Sequence, residues 1–330
     1  MLRATLTRRG GAPSLAELPY STLTTTRLAN EVGTTIVNVP AEGLGADVRR
    51  KLGDATAWRD ELAVYDGDAL LWVGPLMPPA FTREAVTLTG KDLFAWFDHR
   101  VLGVDRTYRD TDLGIIFTGH AADAMRRDDS PGITVSPTSV GIGGDRVVTA
   151  RQRQYAGDAM RELCRSGVDF TMNGRELVLS SSRSPGARLP VLADHLADGP
   201  STAPPADAAT EVTILGVTRA DGSQVVATAA RDAPPEGLLQ VVVNEPAVLD
   251  KVSARHAALT ALDASPGLPF TATLLPGWAP WADLVPNRIC RVAVNAGVRD
   301  LLGDYRLVSV TFNAEPGRLG VSAAFVPVEV

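Results

Sequence analysis

Cysteine is nearly missing from this 330-residue sequence, and its scarcity removes two architectures at once. Cys164 and Cys290 lie far apart, so they make neither a disulfide framework nor a tetrahedral metal site by themselves. The four histidines, His99, His120, His195 and His256, are scattered, and none stands at metal-ligand spacing from another His or Cys. No metal and no cofactor is expected. Aromatics are sparse as well: eight Phe, five Tyr and five Trp, against 30 Gly and 23 Pro. That balance favours many turns joining short strands over a helical bundle. Neither sign of charge forms a long run, and the net charge of -6 gives none of the basic footprint of a nucleic-acid or anionic-membrane binder. Long apolar runs are absent too, none approaching the ~20 residues that span a bilayer, and no apolar stretch follows the basic start "MLRATLTRRGG". These absences point to a reduced, intracellular origin without a membrane-spanning segment.

Catalytic signatures are equally scarce. There is no G-x-S-x-G elbow and no H-E-x-x-H helix. "TGKD" at Thr89 to Asp92 lacks the earlier Gly and the following Ser or Thr of a phosphate-binding loop. "GIGGDR", Gly141 to Arg146, runs into strand-like "VVTA" where an anion cradle needs a helix, so it reads as a turn. Asp105, Asp110 and Asp112 lack the other ligands and the Gly of a calcium loop, and helix capping accounts for two of them. Arg146, Arg151 and Arg153 read as a solvated strand-to-helix junction. No catalytic residue is assigned. Dispersed carboxylates of a cell-wall hydrolase stay open, since their separation is spatial. So does a sugar-stacking or protein-binding role for Trp278 and Trp281 in "PGWAPWADL", the alternative being a Pro-rich corner whose indoles fold back on the neighbouring barrel.

What is present is strand, turn and a few helices. "ELAVYDGDALLWVGPL", Glu61 to Leu76, is a hairpin about Asp66-Gly67-Asp68, with Leu62, Val64, Leu70 and Trp72 on the buried face. Thr34 to Val39 and "EAVTLTG" from Glu84 add strands. "GKDLFAWFDHRVL" changes to helical spacing, with Asp92 near the helix start. "YRDTDLGIIFTGHAADAMRR" reads as a helix capped from Asp110, Thr111 and Asp112, and "QRQYAGDAMRELC" as another. "VDFTMNGRELVLS" is a hairpin with Asn173-Gly174 as its two-residue turn. The Pro- and Ala-rich stretch 183–210 lacks the apolar content of a packed element and is expected to be an irregular linker. Beyond it, Ala220-Asp221-Gly222-Ser223 joins two strands. "NEPAVLDKVSARHAALTALDA" reads as a helix with Pro246 in its first turn, capped by Asn244 or Glu245, with Val248, Val252, Leu259 and Leu262 on one side. A β meander turning at Glu315-Pro316-Gly317 ends the chain.

In this order the elements resemble those of minor tail proteins of long-tailed actinobacterial phages, of the baseplate-hub or tail-hub type. The phrases that carry the likeness are "VYDGDALLWVGPL", "VTLTGKDLFAWFDHRVL", "YRDTDLGIIFTGHAADAM", "VVTARQRQYAGDAMRELCRSGVDFTMNGRELVLS" and "GDYRLVSVTF". It is densest from about Glu61 to Ser180. The resemblance implies an α+β, predominantly β fold: a tail-tube-like antiparallel β-barrel unit over 1–102, an α+β domain over 103–182, the linker over 183–210, and a second β-barrel unit with one helix over 211–330. It implies a structural, non-enzymatic virion protein at the tail tip, assembled in the host cytoplasm. Such a protein forms a homotrimeric ring between the distal tail and tape-measure proteins on one side and tip or fibre proteins on the other. DNA would pass through without specific binding. The alternatives are a cell-wall hydrolase and a carbohydrate-binding tail protein.

Overall fold

The Asp66-Gly67-Asp68 hairpin forms as two strands, Asp60–Asp66 and Ala69–Pro75, with Asp66 opposite Ala69 and Gly67 at φ +57°. Its environment differs from the alternating pattern expected. Leu62, Val64, Leu71 and Trp72 enter one hydrophobic core, while Ala63 and Val73 enter a second, against which Tyr65 and Leu70 also pack. The hairpin is thus a wall between two cores, which is why it reads as a near-continuous apolar run. Gly74 belongs to that packing: a Cβ there would lie 1.7 Å from the carbonyl oxygen of Lys91, so only glycine lets the two backbones approach.

The computed structural model describes residues 2–11, 14–136, 138–181, 188–202, 209–219, 221–232, 237–263, 269–275, 278, 280–295 and 300–328. The architecture is predominantly β. A four-stranded sheet has the order Ser14–Glu17, Leu2–Arg8, Asp60–Asp66, Ala69–Pro75. Ten strands make the largest sheet. Along its main path run Ser201–Thr202, Phe270–Leu274, Arg318–Pro327, Asp300–Glu315, Thr22–Leu28, Thr34–Pro40, Ala85–Lys91 and Ala80–Phe81, while Ile289–Asn295 and Leu189–Leu192 branch from Asp300–Glu315.

This sheet corrects the expected organisation in two places. Strands from the first hundred residues and from the last sixty share one hydrogen-bonded ladder, with Leu28 opposite Ser309 and Leu23 opposite Ala314. They also share a core, where Leu23, Val37, Val310 and Phe312 are fully buried, so the β regions before and after the middle are not two separate units. No sheet among the described residues closes into a barrel. Nor is 183–210 irregular throughout. Leu189–Leu192 pairs in parallel with Ile289–Asn295, and Val191 is buried, because one Val suffices for a short edge strand, even beside Pro190, once a neighbour supplies the ladder.

The middle region holds the second core. α1 (Ala46–Gly53) lies earlier, on the outside of the first core, burying only Leu52. α2 (Leu113–Met125) is capped by Asp112 alone, whose carboxylate accepts from Gly114 N at 2.8 Å; Asp110 and Thr111 belong to the strand Arg106–Asp112. α3 (Ala156–Cys164) packs on α2 and on a 3-10 helix, Leu93–His99, that replaces the expected α-helix. Its Asp92 cap accepts from Phe94 N and Gly33 N. In the hairpin of Val168–Asn173 and Glu176–Ser181, Asn173 pairs with Glu176, so the two loop residues are Gly174 and Arg175, one position later than expected.

A third, smaller core stands apart. Glu211–Thr218 is flanked by Gln224–Ala230 and Gln240–Asn244, and one face of this sheet carries α4 (Lys251–Asp263). The helix begins at Lys251, five residues after Pro246, since Asp250 accepts from Ser253 N at 2.8 Å and from its hydroxyl at 2.7 Å. Its buried face is Ala254, Ala257, Ala258 and Leu262, and Val252, expected inside, is 58% exposed.

Candidate assembly surface

Trp278 and Trp281 sit at the rim of the first core. Trp281 is 6% exposed, edge-on to Phe312 at 6.0 Å, so its face is already covered. Trp278 is half-buried and stacked on His195 at 5.0 Å. The two indoles therefore do not form an open, coplanar platform for a sugar ring. The remaining histidines are dispersed: His99 lies edge-on to Trp58, and His120 is buried beside Tyr108. Among the described residues no three His, Cys, Asp or Glu side chains gather as metal ligands. Both cysteines are free and buried, which pushes the Cys290 thiol up to about 12 and the Cys164 thiol well above its ordinary range.

The buried charges work as pins between elements. Asp169, on a second-core strand, accepts from Asn30 at 2.6 Å and from Arg306 of the large sheet at 3.1 Å; burial raises its carboxyl despite those partners. Arg27 is 2% exposed, donating to Leu284 O and to Asn173 Oδ1, and burial lowers it to about 10. Glu61, fully buried, is held by Arg175 and by Gly10 N. Arg161 grips Asp98 with two bonds of 2.7 and 3.0 Å. Asp92, completely enclosed, has its carboxyl pushed up to about 7 by burial. Each of these groups is held by a backbone group, a side-chain amide or an opposite charge, and Asp92 also senses the charges of Asp98 and Arg161.

Arg146 departs from its expected solvated place. It is 8% exposed and bridges the second core to the α4 unit, donating to Ser166 Oγ at 2.8 Å and Ser253 Oγ at 3.4 Å. Arg165 reaches the same unit through two 3.0 Å bonds to Glu245, and Asp145 N donates to Asp250. Between these contacts lies a cavity of about 580 Å³ lined by His120, Arg146, Glu162, Pro246 and Leu249 among others. Burial raises the Glu162 carboxyl and lowers the His120 imidazole to about 4.

The largest apolar exposure in the third unit is a strand edge. Leu238, Leu239, Val241 and Val242 are 67%, 41%, 39% and 63% exposed, and Val226 on the opposite edge is 41% exposed. The run "LLQVVVN" is its signal in the sequence, and no element was expected over Leu238 to Val243.

No protein-family model and no curated protein matches the sequence. Solved structures do match in shape. A 43 kDa tail protein of prophage MuSo2 from Shewanella oneidensis superposes with a TM-score of 0.68 over 98% of both chains, at 14% identity. A tail protein from Neisseria meningitidis MC58 gives 0.66 over 98% of this chain and 96% of that one, at 11% identity. This chain shares the fold of these two tail proteins. The prophage tail protein gp18 from Listeria monocytogenes EGD-e follows at 0.62 over 98% and 94%, again at 11% identity. At such identities the likeness is one of fold.

Proposed function

We propose that this chain is a structural protein of a phage tail, a homotrimeric hub ring at the tail tip that joins the tail tube and distal tail protein to tip or fibre proteins. The observation that carries this reading is end-to-end coincidence: the fold of the MuSo2 tail protein is matched over 98% of each chain. A component of the E. coli type VI secretion system described as similar to T4 tail proteins gp27 and gp5 adds support at a TM-score of 0.54, over 98% of this chain and 77% of that one. The chemistry is in keeping with this: the raised carboxyls of Asp169 and Asp92 are pinned by Arg306 and Asn30 or by backbone amides, and that of Glu162, at the cavity, accepts from Gln154. The tape-measure protein is a further neighbour in this reading, and DNA passes along the axis without sequence-specific contact. Reconstruction of the assembled tail tip tests it: three copies around the axis are expected, and a single copy off the axis overturns it. Incubation of the purified protein with host cell wall tests the hydrolase alternative; turnover lost on one Asp or Glu substitution would replace the structural reading.

A further inference from the structure

The three-stranded sheet of the α4 unit has two free edges, and they fit each other. In Gln240–Asn244, Leu239 and Glu245 hydrogen-bond toward the central strand, so alternation turns the backbone groups of Gln240, Val242 and Asn244 outward. In Gln224–Ala230, Arg231 N donates to Thr210 O of the central strand, which turns Val226, Thr228 and Ala230 outward. Among the described residues nothing pairs with either outer edge. Neither strand carries a charge, a proline or a bulge at its outward residues, the devices by which monomeric proteins blunt such edges.

The geometry points to head-to-tail pairing of these edges between copies of this chain, Gln240–Asn244 of one against Gln224–Ala230 of the next. The two strands run in opposite directions within one sheet, so a copy in the same orientation presents an antiparallel mate. Setting Val226 opposite Asn244, Thr228 opposite Val242 and Ala230 opposite Gln240 aligns all three outward residues on each side. It also keeps their side chains on the face away from α4, since Thr228 and Val242 both sit beside Thr213. The occupant is a second copy because both edges are uncharged and each sets three outward residues in one shared register, and the contact is heterologous, which makes a ring where its rotation closes. One five-residue ladder falls short of the roughly 1,000 Å² that a stable pair of chains buries, whereas in a closed ring the last junction forms within an already joined assembly. The number of copies, three, rests on the tail-hub reading above.

Cross-linking decides it. The full chain carrying both Thr228→Cys and Val242→Cys, oxidised at high protein concentration, should run as a closed covalent trimer without reducing agent, while each single variant stays monomeric; Cys164 and Cys290 are buried and silent. Val242→Lys, at an exposed position, should keep the unfolding midpoint and lower the trimer fraction at least tenfold by light scattering. Dimers from either single variant would mean an edge pairs with itself and overturn the proposal. A trimer by light scattering that the double variant does not cross-link would overturn it too, leaving the hub ring standing on another surface. A chain monomeric throughout overturns both.

Discussion

At the scale of single residues, two enclosed groups give stability opposite dependences on pH. Burial, with Arg106 and Arg146 nearby, lowers His120 from 6.5 to about 4, so the folded chain holds it neutral where the unfolded chain protonates it. Its contribution is complete above pH 6.5 and is lost as pH falls toward 4, about 3 kcal/mol in all. Asp92 moves the other way, from 3.8 to about 7, so its contribution is complete below pH 3.8 and is lost as pH rises toward 7. Relative to the parent chain, His120→Gln should therefore gain stability as pH drops from 6.5 to 4, and Asp92→Asn should gain as pH rises from 4 to 7. Urea midpoints across that range measure both; parallel curves for parent and variants would show that neither shift exists. Trp281→Ala should cost about 3–5 kcal/mol, as for a core aromatic, and be read as a lower midpoint. Asp92 was legible as a cap, but the enclosure of neither group was legible in the sequence, because burial on every side is set by segments distant in the chain.

Elements were legible where local chemistry decides them. The Asp-Gly turn at Gly67, the Asp112 cap and the Glu315-Pro316-Gly317 turn depend on two to four neighbouring residues and stand where the sequence puts them. Elements fixed by competition drifted. Asp250 took the cap that Asn244 or Glu245 was expected to supply, since Asn244 ends a strand and Glu245 is drawn to Arg165. Gly174 keeps its role although the loop lies one residue later: it sits at φ +56°, and a Cβ there would come within 3.2 Å of Leu70. Gly174→Val should cost about 1 kcal/mol or more through that positive φ, and an unchanged unfolding midpoint would count against the turn. Strand partners across the chain, such as Leu28 with Ser309, carry no local signature; register is chosen by burial of alternate residues once both strands exist.

For the whole molecule, the consequence is unequal cooperativity. The first two cores share the Asp60–Pro75 hairpin as a wall and are pinned by Asp169 to Arg306 and Glu61 to Arg175, so loosening one exposes the other. The α4 unit has its own core and meets the second through one ion pair, the buried Arg146 and its serine partners around a cavity, a more polar contact than the wall that the first two cores share. Native-state hydrogen exchange should accordingly find amides of Leu62 to Val73 opening only with global unfolding, while those of Val212 to Ile214 and Ala254 to Leu262 open at a lower free energy. Glu245→Gln removes the carboxylate charge that Arg165 Nη1 bonds through both oxygens and should widen that gap without moving the hairpin amides. In a ring closed through the edges of Gln224–Ala230 and Gln240–Asn244, the same α4 amides should become the ones most protected by assembly, because the least stable unit is the one the neighbouring copies complete. Equal protection of that unit in monomer and assembly would place the contacts elsewhere on the chain.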